Sequence, residues 1–193
     1  MIGQVLSMSS EYSTQNSLLL QKLLQFYQKD GNLDKILSII NGESRISLRL
    51  IDWFVTNYSK KYYTVLKIKD RHDAEKRFKV YIDYKLKLKA YSKKRFDPFC
   101  RWDRITIPYH DDVYIQTTIG QLNFFKWALE YKIIDFIREY LDHIEADMNN
   151  RNSSAKYRSH KNNKKTRKKR QELSVSATKS IKKEDVVITV RFD

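Results

Sequence analysis

Apolar residues recur at helical spacing through SLLLQKLLQFYQ (17–28), where Leu19, Leu20, Leu23, Leu24 and Tyr27 fall on one face. The breakers Lys29-Asp30-Gly31-Asn32 end that run, and a shorter helix is predicted over 33–40, with Leu33, Ile36, Leu37 and Ile40 together and Gly42 as its stop. The two predict a helical hairpin. In SLRLIDWFVTNY (47–58) Ser47 is placed to cap a third helix whose Leu50, Ile51, Phe54, Val55 and Tyr58 share a side, with Trp53 toward its boundary.

The pattern then changes. YTVLKI (63–68) reads as a strand, KDRHDAEKR (69–77) as a charged turn, and a second strand starts at Phe78. From Phe78 to Leu88 apolar residues alternate with Lys and Asp, the period of a half-buried strand, although the same residues permit a helix over about 83–92. A strand through about Ile82 followed by a helix is the expectation. After Asp97-Pro98, RITIPY and VYIQT flank the turn-prone His110-Asp111-Asp112 and predict a second hairpin. Thr118 caps a helix through about Glu130, and a last helix is expected from Lys132 to Ala146 on the stripe Ile133, Ile134, Phe136, Ile137, Tyr140, Leu141 and Ile144.

From Asn149 the apolar residues almost vanish, and such a segment lacks the burial needed to offset chain entropy. The fold class expected is therefore α+β: a helical N-terminal part, two short β-hairpins and two C-terminal helices in one domain over 1–148, followed by a disordered basic tail over 149–185. The end, VVITVRFD (186–193), alternates like a short strand able to pair with a sheet edge. That pairing would tether the tail at both ends.

Charge sharpens this division. Of a formal net charge of +15, residues 151–185 supply +10, thirteen Lys or Arg against Glu172, Glu184 and Asp185. A block of that kind attracts polyanions by counterion release, independently of sequence. Lys161, Lys164, Lys165, Arg167, Lys168, Lys169 and Arg170 are the candidate phosphate-binding residues, and the same run also reads as a nuclear-import signal or a solvated tail. A second basic set, Lys60, Lys61, Lys85, Lys87, Lys89, Lys93, Lys94, Arg95, Arg101 and Arg104, is interleaved with Tyr62, Tyr63, Tyr84, Tyr91, Phe96 and Trp102. It fits either a groove for backbone and bases or an ordinary lysine-covered face.

Other chemistry is sparse. Cys100 is the single cysteine, so no intrachain disulfide forms, and an inert buried thiol is the expected role. His110, Asp111 and Asp112 read as a hairpin turn rather than a cation site, and His72 beside Asp70 and Asp73 is no stronger. His143 is expected to face solvent. The chain holds four glycines and no phosphate loop, dinucleotide fingerprint or nucleophile elbow. No catalytic residue, metal or cofactor is expected, nor a membrane span or leader.

SLRLIDWFVTNYSKK (47–61), LKAYSKKRFDPFCRWDRI (88–105) and TTIGQLNFFKWALEYKIIDFI (117–137) resemble an uncharacterised protein family of the nucleocytoplasmic large DNA viruses, which include the giant viruses of amoebae. The similarity spans about 46–147, with the tail outside it. Trp53, Asn57, Tyr58, Asp97, Pro98, Gly120, Phe125 and Trp127 lie in the matching segments and read as core and turn residues. The resemblance carries no known activity. It implies a viral accessory protein acting in the cytoplasmic viral factory or the virion, with the host nucleus as another destination. The cationic tail would there bind nucleic acid, DNA before RNA, without sequence preference. The alternative is a virion or assembly protein that binds a viral protein through helices 17–40 or VVITVRFD.

Overall fold

A computed structural model describes residues 14–29, 31–69, 74–110, 113–161 and 182–185. The helix Ile119–Glu130 (α6 in the order below) is apolar around most of its circumference, and nine of its residues, among them Leu122, Phe124, Phe125, Trp127 and Ala128, are buried. A helix of that character has to be enclosed by other elements. The chain enclosing it runs α1 (Thr14–Tyr27), α2 (Asn32–Ile40), α3 (Leu48–Trp53), a π-helical turn (Phe54–Tyr58), α4 (Ser59–Lys61), β1 (Val65–Lys69), β2 (Glu75–Lys79), α5 (Val80–Arg95), β3 (Arg104–His110), β4 (Val113–Thr118), α6, α7 (Ile133–Glu139), α8 (Leu141–Lys161) and β5 (Lys182–Asp185). The fold is mixed α+β, with the helical hairpin and the two β-hairpins that the sequence predicts.

Local chemistry accounts for the starts of the main helices. The Ser47 hydroxyl accepts from the Leu50 N–H and that of Thr118 from the Gln121 N–H, each satisfying an orphan donor of a first turn. Gly42 adopts φ 78 beyond the end of α2, a conformation glycine takes without cost. β1 and β2 pair antiparallel from Val65↔Lys79 to Lys69↔Glu75, and β3 with β4 from Arg104↔Thr118.

Three boundaries differ from the sequence reading. The strand expected to reach Ile82 ends at Lys79, and α5 starts at Val80. β1 offers partners only as far as Lys79, so a longer strand would leave backbone groups unpaired, whereas a helix satisfies them internally. The alternating residues then divide: Val80 and Tyr84 turn into the core, and Ile82 and Leu86 are left on the outer face, 53% and 60% exposed. The final helix is interrupted at Tyr140 (φ −106, ψ 24), which separates α7 from α8 and lets Ile133, Ile134 and Ile137 bury alongside Leu141, Ile144 and Met148.

The third concerns the segment 149–185, expected to be disordered in full. Helix α8 continues through it to Lys161, and β5 pairs with β4 from Val113↔Asp185 to Gln116↔Lys182. Once Leu141–Met148 is held by packing, adding residues needs no new nucleus. Lys182–Asp185 takes the free edge of β4. The segment 186–193 itself lies outside the described residues.

Around α6 the contacts are specific. Tyr27 of α1 donates its hydroxyl to the Leu122 carbonyl at 2.6 Å. Asn123 donates to the Arg95 carbonyl at 2.8 Å and Gln121 to the Pro98 carbonyl at 3.0 Å, so buried amides satisfy the chain leaving α5. Phe96, Phe124, Trp127 and Tyr84 form an aromatic cluster, and the Trp127 indole donates to Asp83 at 2.7 Å. Phe125 and Trp127 are thus core residues, as read from the sequence. Gly120 permits the close approach of this loop: a Cβ there would lie 2.8 Å from the Lys94 carbonyl oxygen and 3.0 Å from Cys100 Cβ.

Asp52 of α3 is half-buried. Burial pushes its carboxyl up to about 6, and the charge of Asp97 adds to the effect. Burial also raises the Tyr84 phenol, helped by Asp52 and Asp97.

Two outcomes follow for stability. Gly120→Ala should cost about 1–3 kcal/mol in urea unfolding, because backbone must move to admit the methyl. Asp52 ionises near 3.8 in the unfolded chain and near 6 in the folded one, so stability should fall as pH rises from about 4 to 6 and stay lower above. Asp52→Asn should flatten that slope and add on the order of 1 kcal/mol at pH 7, read by urea unfolding across the same range.

Candidate nucleic-acid interface

The helical run that begins with α3 widens by one residue at Phe54–Tyr58, where the Ser59 N–H donates to the Phe54 carbonyl five residues back. Such π turns frequently accompany functional sites. Two hydroxyls hold the run on either side: Thr56 donates to the Asp52 carbonyl at 2.6 Å and Ser59 to that of Val55 at 3.0 Å. Phe54, Tyr58 and Tyr62 follow one another at four-residue steps, with ring centroids 5.8 Å and then 4.5 Å apart. A second series leaves Phe54 through Phe136, 5.4 Å away, to Tyr140, 4.5 Å further. Both series start in the core and end at the surface, at Tyr62 (51% exposed) and Tyr140 (39%).

Asp147 of α8 ties this surface together. Its carboxylate accepts from the Trp53 indole at 3.2 Å, from the Tyr62 hydroxyl at 3.3 Å and from the Lys61 ammonium. Burial alone would raise its pKa, but the hydrogen bonds from Lys61 and Trp53 outweigh burial and hold the carboxyl below its ordinary value. Charge-assisted bonds of this kind are the stronger sort. Arg151, one turn on, places its guanidinium 5.6 Å from the centre of the Trp53 ring. Lys61 stands 4.6 Å from the Tyr62 ring and Lys60 5.6 Å from that of Tyr81 on α5.

Beyond Asp147 helix α8 contains no acidic residue, and Arg151, Lys156, Arg158 and Lys161 follow. The arrangement is a cationic helix docked by a carboxylate against a surface of aromatic rings and lysines. Arginine and lysine can neutralise phosphates, and exposed rings offer faces to bases.

Of the residues singled out from the sequence, Lys161 closes α8, whereas Lys164, Lys165, Arg167, Lys168, Lys169 and Arg170 lie outside the described residues. The second basic set is divided by the fold. Tyr84 and Phe96 belong to the core and Tyr91 stacks on Phe96 at 6.1 Å, so these rings do not line a groove. Lys60, Lys61 and Tyr62 join the surface just described, and Tyr63 and Trp102 are 87% and 70% exposed. Cys100 is buried with its sulfur 3.5 Å from the Lys94 carbonyl. His143 is exposed, His110 ends β3, and His72, Asp70, Asp73, Asp111 and Asp112 lie outside the described residues. Among the described residues no three of His, Cys, Asp and Glu gather as a metal site. Helices α1 and α2 spend Leu23, Tyr27, Ile36, Leu37 and Ile40 on the core, which removes those residues from any docking face.

The sequence reading missed Trp53, Tyr58, Tyr140, Asp147 and Arg151 as parts of one surface. The four-residue spacing of Phe54, Tyr58 and Tyr62 was a visible signal; the meeting with Asp147 had none.

A family model, described as a family of unknown function (DUF7197), matches residues 6–162. The chain belongs to that family. The DUF7197 match takes in all of α8, so the helical extension lies inside the shared region and the likeness reaches well beyond 46–147. The chain is also similar to the uncharacterized protein L507 of Acanthamoeba polyphaga mimivirus, 41% identical over 146 residues, which are 72% of this chain and 56% of the relative. The chain spans little more than half that relative's length. The resemblance to an uncharacterised giant-virus family is therefore established. No solved structure matches. Among the described residues no helix is long and apolar enough to cross a membrane.

Asp147→Ala should release α8 from the π-helical turn, seen as hydrogen exchange at least several-fold faster at the amides of 149–161, with those of α6 unchanged. Because the Asp147 pKa is depressed, its contribution is present above the ordinary carboxylate value of 3.8 and lost as pH falls through the lowered one. Protection of the α8 amides relative to their intrinsic exchange rates should therefore fall in strong acid in the unaltered protein, and the variant should lack that fall.

Proposed function

We propose that this protein is a viral accessory protein that binds nucleic acid, DNA foremost, through sequence-independent phosphate contacts, and that it works in the viral factory or the virion. The observation that carries the reading is the course of α8. Asp147 anchors a helix that has cations and no carboxylates after that residue, and Lys164–Arg170 follow the helix in the sequence. A pre-formed helix presents its charges at lower entropic cost than a free chain. The viral relative and the concentration of +10 in residues 151–185 point the same way. The reading is of a binding protein rather than an enzyme, and no membrane partner enters it.

Phosphate contacts leave a salt signature: each one lost lowers the slope of log affinity against log salt by about 0.9 on duplex DNA. Replacing Lys164, Lys165, Arg167, Lys168, Lys169 and Arg170 with Gln should weaken binding to a random duplex and flatten that slope by roughly 3–5. Unchanged affinity and slope in the variant would remove the proposal.

A further inference from the structure

Tyr63 follows α4 at φ 49, a left-handed backbone that suits Gly or Asn and is uncommon for a bulky residue. That turn closes the helix, with the Thr64 N–H donating to the Ser59 carbonyl at 3.0 Å, and it leaves the Tyr63 ring 87% exposed. Beside it Tyr62 is half exposed, held by the Asp147 carboxylate at 3.3 Å and by the Tyr58 ring at 4.5 Å. The two phenols adjoin Lys60 and Lys61. Tyr62 is therefore fixed in place and half exposed, with the Lys61 ammonium 4.6 Å from its ring centre, and the next ring stands open to solvent.

We infer that Tyr62 and Tyr63, with Lys60 and Lys61, form a stacking site for unpaired bases, so that the protein prefers single-stranded nucleic acid to duplex. The inference rests on the phosphate-binding reading and adds to it. In a duplex the faces of the bases are covered by their neighbours, and an exposed phenol finds only edges, sugars and phosphates. In a single strand each base has a face to offer, and the lysines meet the phosphates between successive bases. Tyr62 meets the base already oriented, because Asp147 holds its hydroxyl. Tyr63 supplies the second face.

The test uses the full chain and two fluorescent probes at one ionic strength, a 20-nucleotide oligothymidine and a 20-base-pair random duplex, read by anisotropy. The unaltered protein should bind the single strand more tightly. Tyr62→Ser with Tyr63→Asn should lower single-strand affinity about tenfold or more, with duplex affinity staying within about twofold. Tyr63→Asn alone, at an exposed position whose backbone asparagine tolerates, should show part of that loss even if the double variant fails to fold. Neutralising Lys164–Arg170 should weaken both probes together, which separates the stacking site from the phosphate contacts. Equal binding of the two probes, or variants that lower both alike, would overturn the stacking site and leave phosphate binding standing. Absence of binding to either probe would overturn both.

Discussion

An apolar helix exposes no tolerable face to water, and the enclosure of Ile119–Glu130 is the constraint that arranges everything else. Leu122, Phe124, Phe125 and Ala128 are fully buried, so elements must arrive from several directions. α1 comes with the Tyr27 hydroxyl on the Leu122 carbonyl, α5 with Tyr84 against Phe124 and Trp127, and the loop after α5 with its carbonyls on Gln121 and Asn123. Buried polar side chains at the first turns of α6 cost nothing extra because each has a backbone partner there. The same contacts confer direction on a core that hydrophobic burial alone would leave loosely specified.

The surface of Tyr58, Tyr62 and Tyr140 grows out of that core. Phe54 is fully buried and touches both Tyr58 and Phe136, so the positions of the outer rings are inherited from packing within. Asp147 completes the arrangement from the other side, with one carboxylate receiving an indole, a phenol and an ammonium. A short acidic side chain thus sets where a long basic helix leaves the protein. Arg151, stacked above Trp53, is the first cation of that helix.

Much of the architecture was readable because it depends on neighbours in the chain. Ser47 and Thr118 cap the helices they precede, the β3–β4 hairpin is formed by β-rich runs, and the stripes of α1, α2 and α7 follow a helical period. What was missed depends on distant partners. Alternation from Phe78 to Leu88 is equally compatible with a helix, and the choice fell at Lys79 because β1 ends opposite it. FVTNY carries no local mark of a π turn; contact between Phe54 and Phe136 accompanies it. Asp147 lies 94 residues from Trp53 and 86 from Lys61, separations at which spacing says nothing. The length of α8 was underestimated because sparse apolar residues argue against a helix standing alone, whereas this one continues from a turn already fixed by Leu141, Ile144 and Met148.

The antiparallel pairing of Lys182–Asp185 makes β4 the central strand of three. Its two edges are both taken, by β3 on one side and by β5 along Val113–Gln116 on the other. A strand covered in this way offers no free row of backbone donors and acceptors to a second chain, which is the usual route to edge-to-edge aggregation.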